Sequence, residues 1–136
     1  MPLNCIFEFM NKVKIIECPR DAMQGIKSHF ISTEAKAGYI NSLLKVGFDT
    51  IDFGSFVSPK AIPQMRDTAA VLSKLDISQT QSKLLAIIAN VRGANDAAQF
   101  EEIDYLGYPF SISENFQMRN THKTIHQSIE ALEEIL

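Results

Sequence analysis

An arginine and an aspartate stand side by side in the stretch CPRDAMQG, residues 18–25, directly after the apolar run VKIIE at 13–17. A buried strand excludes unpaired charge, so this pair is expected where the strand ends. There Arg20 and Asp21 can form an ordinary ion pair, or they can face a substrate. Without further context, a surface ion pair is the commoner role of two such residues.

Cysteine and histidine are sparse in this chain. Its two cysteines, Cys5 and Cys18, lack the C-x-x-C or paired-histidine spacing of zinc sites, and Cys18 is interpreted as a small core residue at the strand end. His122 and His126 lie four residues apart, a spacing that could clasp a metal. On a helix such a pair is more often solvated surface, so we assign these residues no site.

Composition limits the classes of protein to which the chain can belong. With 136 residues, 46% hydrophobic and 21% charged, it is expected to form one soluble globular domain. A formal net charge of −3 without clustered Lys and Arg argues against nucleic acid and anionic lipid as partners. No export signal or membrane span is predicted, and two cysteines without a disulfide framework favour a cytoplasmic location.

Short apolar runs alternate with longer amphipathic ones. Strands are predicted at 13–17, 50–54, 83–90 and 103–108, and the run KLLAIIAN at 83–90 is continuous enough to predict burial on both faces. Ile15, Ile51 and Ile87 recur at intervals of 36 residues, about the length of one strand and one helix. This alternation predicts an α/β fold with a parallel sheet and right-handed crossovers.

Each strand is followed by a segment with helical or turn character. A helix is predicted within 32–47, with Ser32 or Thr33 as N-cap, Ile40, Leu43 and Leu44 on one face and Gly47 as its stop. After a turn at Ser58-Pro59, a second helix is predicted with Met65, Ala69 and Leu72 on one face. A short helix at 93–102, a polar loop at 111–123 and a final helix with Ile125, Ile129, Leu132 and Leu136 on one stripe complete the chain.

Two closures fit four such units. One is an open, doubly wound sheet; the other is part of a (β/α)8 barrel, whose usual length is about 250 residues. No G-x-G-x-x-G or G-x-x-x-x-G-K motif follows any predicted strand, which weakly disfavours the nucleotide-binding open sheet.

Three stretches resemble hydroxymethylglutaryl-CoA lyase, a metal-dependent enzyme family built on the TIM barrel. They are ECPRDAMQ after the first strand, IDFGSFVSPKAIPQM at the second and GYPFSISENFQMRNTHKTI at the fourth. SFVSPK followed by PQM is the specific part of the match, which covers about nine tenths of the chain. The resemblance implies that residues 1–136 are the N-terminal half of one TIM-barrel catalytic domain and supply about its first four βα units. It also places these stretches at the carboxyl ends of strands, where barrel enzymes build their sites.

The resemblance also implies roles for particular residues. Asp21 is expected to ligate a divalent metal, Mg²⁺ or Mn²⁺, and Arg20 to stabilise a developing enolate. Gln24 matches the family's glutamine near the site, and Asp52 stands where the family has a glutamate. Ser55 and Lys27 are candidates for substrate binding, with Lys27 and Arg92 each able to steady a CoA phosphate.

The implied reaction is a retro-Claisen cleavage of 3-hydroxy-3-methylglutaryl-CoA to acetyl-CoA and acetoacetate, the chemistry of leucine degradation and ketone-body formation.

Two sequence differences from the family affect whether these residue roles can be carried over to this chain. Asp52 is one methylene shorter than glutamate, which could lengthen its contact with Arg20, and Ala22 replaces a glycine, which would be strained at positive φ. The family's two metal-binding histidines, its asparagine ligand and its cysteine loop have no counterpart in the sequence.

Three functions therefore stay open from the sequence. The chain can belong to the lyase, to a related acyl-CoA condensing synthase on the same barrel, or to a non-catalytic half-barrel that acts as a binding module. In each case half a barrel leaves two strand edges and an apolar face uncovered. The second half of the barrel or a homo-oligomer is thus the expected partner, besides an acyl-CoA substrate.

Overall fold

Four parallel strands form one sheet in the computed structural model, which describes residues 13–136. In chain order the elements are β1 (Ile16–Glu17), α1 (Pro19–Gln24), α2 (Thr33–Leu44), β2 (Thr50–Ser55), a 3-10 turn (Pro63–Met65), α3 (Thr68–Leu72), β3 (Lys83–Ile87), α4 (Val91–Ala97), β4 (Tyr105–Gly107), α5 (Glu114–Thr121) and α6 (Ile125–Ile135). Cys5 and the rest of the N-terminal stretch lie outside the described residues.

The strands lie side by side in the order in which they occur in the chain, β1-β2-β3-β4, and every neighbouring pair is parallel. A doubly wound sheet reverses its strand order at a switch point, whereas a barrel adds each strand beside the last. The consecutive order therefore favours the barrel closure over the open sheet. Among the described strands, β1 and β4 are the two edges.

One face of the sheet carries the core. Ile51 and Phe53 of β2 and Leu84 and Ala86 of β3 are all at most 2% exposed, because they pack beneath the helices. The other buried members of this cluster are Ala37, Ile40 and Leu44 of α2 and Val71 and Leu72 of α3. Ser32 caps α2 by accepting a hydrogen bond from the Ala35 N–H, and Gly47, at φ 88°, follows the helix as predicted.

The opposite face of the sheet is only partly covered. Asp52 lies between Ile51 and Phe53 and therefore points to this face, because side chains alternate along a strand. On β1 Ile16 is 53% exposed, and on β4 Tyr105 is 46% exposed. In a closed barrel this face would be the interior, so the sheet has an apolar surface of the kind that a complete barrel buries.

The third strand is shorter than predicted and is not buried on both faces. It ends at Ile87, and its residues alternate, with Leu84 and Ala86 buried and Leu85 and Ile87 half-buried. The continuous apolar run misled the prediction because Ile88, which packs against α4, already lies beyond the strand.

Residues 63–72 do not form the single helix that was predicted. They form the 3-10 turn Pro63–Met65 and the separate helix α3, and Ala69, expected between Met65 and Leu72 on the buried face, is exposed. Thr68 takes the inward position instead, because its hydroxyl lies 2.8 Å from the Met65 carbonyl and bonds the backbone of β2.

The prediction of a polar loop at 111–123 is wrong. Ser113 accepts a hydrogen bond from the Phe116 N–H and begins helix α5. The helix is polar because its buried contact is itself polar: Gln117 is 1% exposed and donates a hydrogen bond of 2.6 Å to Ser128 of α6.

The final helix is where it was predicted, but only part of its apolar stripe faces inward, since Ile125 and Leu132 are half-buried. Ile129 and Leu136 are 41% and 97% exposed, whereas Ser128 is fully buried. Thr124 and Gln127 form a reciprocal capping box at its start. Within residues 13–136, no helix combines the length and the apolar character that a membrane crossing requires.

Candidate functional site

Helix α1 places the arginine and the aspartate at the carboxyl end of the sheet. It begins at Pro19, two residues after β1 ends at Glu17, so Arg20 and Asp21 both fall in its first turn. Proline is well suited to this first position, because it needs no N–H partner there and its φ is already helical. Ala22 lies inside the same helix and does not have positive φ, so the strain considered for this position does not arise.

Arg20 forms a two-pronged contact with Asp52 of β2. Its Nε lies 3.1 Å and 3.2 Å from the two carboxylate oxygens of Asp52, and its Nη2 also bonds Oδ2. The side chains of Arg20 and Asp52 are 13% and 5% exposed, respectively. The shorter aspartate side chain thus reaches the guanidinium directly, and the contact is not lengthened.

The remaining terminal nitrogen of Arg20 points toward Asp21 and Gln24. Nη1 lies 3.1 Å from Asp21 Oδ1 and 3.0 Å from Gln24 Oε1. Gln24 Nε2 in turn donates a 2.6 Å hydrogen bond to Asp21 Oδ1. The four side chains Arg20, Asp21, Gln24 and Asp52 therefore form one connected cluster, which the sequence predicted as site residues but not as a network.

The charge state of the cluster follows from its burial and its pairing. Burial by itself would lower the pKa of Arg20, but the hydrogen bonds and the charge of Asp52 outweigh it and raise the pKa. Burial raises the pKa of Asp52, against the opposing effect of Arg20. Arg20 is consequently a fixed positive charge oriented by a mostly buried carboxylate.

Asp21 is suited to hold one position of a divalent cation. Its side chain is 64% exposed, and its Oδ2 makes no hydrogen bond to any described residue. Carboxylate oxygens are the ligands that Mg²⁺ and Mn²⁺ prefer. Within residues 13–136 no group of three or more His, Cys, Asp or Glu side chains is arranged to hold a metal, so Asp21 has no companion ligands among them.

The other two predicted site residues are not hydrogen-bonded to this cluster. Ser55 is buried at the end of β2, where its hydroxyl lies 3.3 Å from the Ile87 carbonyl and accepts a 3.1 Å hydrogen bond from the Val57 N–H. Lys27 lies in the exposed segment after α1 and forms no ion pair with a described residue.

Cys18 is not the small core residue that was predicted. It is exposed and occupies the N-cap position of α1, without a side-chain capping bond. Partial desolvation, followed by the negative charge of Asp52, raises the pKa of its thiol. The thiol therefore stays protonated at neutral pH, which disfavours a nucleophilic role.

The comparisons with known proteins identify relatives of the chain. It is 35% identical over 128 residues to the mitochondrial hydroxymethylglutaryl-CoA lyase of Macaca fascicularis, covering 92% of this chain and 38% of that protein. It is 34% identical over 127 residues to the cytoplasmic 3-hydroxy-3-methylglutaryl-CoA lyase of Danio rerio, covering 91% and 36%. The chain is similar to hydroxymethylglutaryl-CoA lyases. The resemblance inferred from its motifs is thereby confirmed, although no family model matches it.

A solved HMG-CoA lyase has the same arrangement of strands and helices. The enzyme from Acinetobacter baumannii, in complex with coenzyme A and 3-methylmalate, superimposes with a TM-score of 0.81 at 33% identity, covering 90% of this chain and 39% of that one. The α/β fold class is confirmed, and the four strands with their helices correspond to part of the (β/α)8 barrel of these lyases. The chain spans about two fifths of the length of the relatives and structures it matches.

Proposed function

We propose that the chain carries one part of a hydroxymethylglutaryl-CoA lyase active site, the part built from Arg20, Asp21, Gln24 and Asp52. The observation that carries this proposal is the orientation of Arg20. Asp52 holds two of its nitrogens, and the third is directed to the exposed carboxylate of Asp21 at the carboxyl end of the sheet. A related lyase binds coenzyme A and 3-methylmalate, which supports an acyl-CoA substrate.

The chemistry requires a fixed positive charge. Cleavage of 3-hydroxy-3-methylglutaryl-CoA removes the proton of its tertiary hydroxyl and breaks the adjacent C–C bond. The hydroxyl-bearing carbon becomes the ketone of acetoacetate, and the electron pair of the broken bond forms the enolate of acetyl-CoA, which is then protonated. Arg20 stabilises the enolate oxygen, and Asp52 keeps the guanidinium in place so that little reorganisation is needed.

Asp21 would hold Mg²⁺ or Mn²⁺, which when bound supplies positive charge to the oxygens of the substrate. Gln24 fixes the Asp21 carboxylate through its 2.6 Å hydrogen bond. Since Gln24 bonds Arg20 as well, it holds the enolate-stabilising and metal-binding groups at a constant separation. Ser55 and Lys27 are assigned to substrate binding, with the Lys27 ammonium available for an acyl-CoA phosphate.

The site is completed by four further βα units. A closed barrel of this type has eight strands, and the described residues supply four with two free edges and a half-open face. We assign residues 1–136 to the N-terminal half of one catalytic domain. The remaining units come from the second half of the barrel, and in its absence a second copy of the chain would cover the open face. The proposed location is the cytoplasm, as for the cytoplasmic relatives.

A non-catalytic binding module is the second candidate. It is favoured by one observation: the described residues contain no cluster of three metal-ligating side chains. The module would bind acyl-CoA or another barrel half without turnover.

A chimaera tests the proposal. Residues 1–136 are joined to the remaining part of a lyase of known activity, and acetoacetate release from 3-hydroxy-3-methylglutaryl-CoA is measured with added Mg²⁺ or Mn²⁺. The chimaera is expected to turn over, and Arg119→Gln, an exposed arginine of α5, serves as the matched control for Arg20→Gln. A folded chimaera that lacks activity, or one whose activity survives Arg20→Gln, would refute the proposal.

A further inference from the structure

Helix α1 carries three of the four clustered side chains and packs against β2 and the 3-10 turn Pro63–Met65. It contains six residues, fewer than an isolated helix needs for stability in water. Its C-terminal side continues into residues 25–32, which form no helix or strand, and Met23 and Pro19 are its only buried members. The position of α1, and hence of Arg20, depends on its packing against β2 and the 3-10 turn and also on the contacts made by the segment that follows it.

Gln64, in the 3-10 turn before α3, holds that segment by its backbone. Its Nε2 donates to the carbonyl oxygens of Ile26 and His29, at 2.7 Å and 2.5 Å. Its Oε1 accepts a 3.1 Å hydrogen bond from the Ile31 N–H. Because an amide has two N–H donors and one carbonyl oxygen, the whole side chain is committed to this segment, at a site where Gln64 is 4% exposed.

Gln64 is itself fixed by a buried charge pair. Lys36 of α2 is 1% exposed, and its Nζ donates to the Gln64 carbonyl and lies 2.6 Å from Asp67 Oδ1. The second oxygen of Asp67 accepts a 2.7 Å hydrogen bond from the Thr33 hydroxyl. The ring of Phe30 covers the Lys36 ammonium at 4.0 Å. Both ends of the segment are therefore tied to residues 64–67.

We infer that Gln64 is a positioning residue for the site: it fixes residues 26–31, and through them holds α1 so that Arg20 stays on Asp52. The inference rests on the proposed role of Arg20 and Asp21. Gln64 forms no hydrogen bond with either of them, so its effect passes through the backbone of residues 26–31. Its amide satisfies three backbone groups at partly buried positions, and these groups would lose that partner if it were removed.

The experiment measures the chemical accessibility of Arg20 in the chimaera that completes the barrel. Phenylglyoxal, which modifies free guanidinium groups, is applied to the wild type and to Gln64→Met, and the modification of each arginine is followed by mass spectrometry. Arg92, which is exposed and forms no ion pair with a described residue, is the internal standard. Gln99→Met, an exposed glutamine bonded only within its own helix region, is the matched control.

Gln64→Met is expected to raise the modification rate of Arg20 relative to Arg92 by about fivefold or more, since local release of α1 frees the guanidinium. Hydrogen exchange in residues 25–31 should accelerate, while α5 and α6 keep their wild-type exchange. Gln99→Met should change neither quantity. A merely structural role would accelerate exchange in residues 25–31 and leave the Arg20 rate within about twofold of wild type, and that result would overturn the inference.

Thr33→Val provides a milder variant in case Gln64→Met does not fold. It removes only the hydrogen bond to Asp67 and should move the Arg20 rate in the same direction by a smaller factor. If Thr33→Val folds and leaves both Arg20 accessibility and exchange in residues 25–31 unchanged, the inference is wrong. Neither readout needs turnover, so loss of the proposed lyase activity and failure of this inference are separately visible.

Discussion

Arg20 and Asp52 are 32 positions apart in the sequence, and the guanidinium of the first lies against both carboxylate oxygens of the second, at 3.1 Å and 3.2 Å from Nε. The parallel pairing of β1 with β2 makes this contact possible, because Ile16 and Thr50 are in register and both strands run toward the same edge. Arg20 and Asp21 are neighbours in the sequence, but the main ion pair of Arg20 is with Asp52 and joins α1 to β2. Asp21 keeps an exposed oxygen as a consequence.

Arg20 is expected to act on the transition state more than on substrate binding. In the chimaera, Arg20→Gln should lower kcat by about a hundredfold or more and change KM by much less, since the enolate charge develops only during cleavage. Arg20→Lys should recover little activity, because Nε, Nη1 and Nη2 each have a partner that a single ammonium cannot match. Steady-state kinetics check this, and an effect confined to KM would identify Arg20 as a substrate anchor.

Asp21→Asn should weaken metal binding without unfolding the protein. The side chain is 64% exposed, so its neutralisation removes little packing, whereas loss of a charged ligand should reduce Mn²⁺ affinity by about tenfold or more. Titration of Mn²⁺ against chimaera activity, with thermal unfolding measured in parallel, tests both parts. Glu114→Gln, at an exposed glutamate, is the control. If Asp21→Asn has the same activity and metal dependence as the unmutated chimaera, Asp21 is not a metal ligand.

Asp104 should make the chain less stable in acid. Burial alone would raise its pKa, but the Leu84 N–H at 2.9 Å and the Lys83 ammonium lower it. A lowered pKa in the folded state means that the stabilisation is complete above the ordinary carboxyl pKa and is lost as pH falls through the lowered value.

The comparison of thermal midpoints between wild type and Asp104→Asn tests that sign. Asparagine keeps an oxygen for the Leu84 N–H and removes only the charge, so the variant should melt below wild type at pH 7, and the difference should shrink toward pH 2. Asp96→Asn, an exposed aspartate with no ion pair to a described residue, should show no such trend. A difference that stays constant across this range would contradict the assignment.

The 136-residue chain by itself should be inactive and should self-associate. One carboxylate leaves most of the coordination shell of Mg²⁺ to water, and the strand edges and the side chains Ile16 and Tyr105 stay exposed in a monomer. Association of two copies would cover the open face but would not by itself restore activity. It supplies a second Asp21 and no other kind of metal-binding side chain. Light scattering and the acetoacetate assay check this. A monodisperse monomer that cleaves the substrate would show that no further barrel units are needed.

Local patterns in the sequence were sufficient for much of the fold. Alternating apolar runs predicted four strands and a parallel sheet, Ser32 and Gly47 marked the limits of α2, and Arg20 and Asp21 were placed at a strand end. These features depend on periodicity, capping and turn chemistry, each of which involves residues a few positions apart. The motif SFVSPK with PQM added the resemblance that the comparisons confirmed.

Only the tertiary structure decided which side chains meet. That Gln64 holds residues 26–31 and that Ser128 rather than Ile129 faces inward on α6 depend on contacts between elements distant in the chain. The resemblance implied a contact of Asp52 with Arg20, and the structure supplied its two-pronged geometry. The polar helix α5 was missed for the same reason: its buried face is made by Gln117, whose partner Ser128 lies on the following helix. Polar residues with buried partners have the same local pattern as polar residues in solvent, so strand register and helix packing must distinguish them.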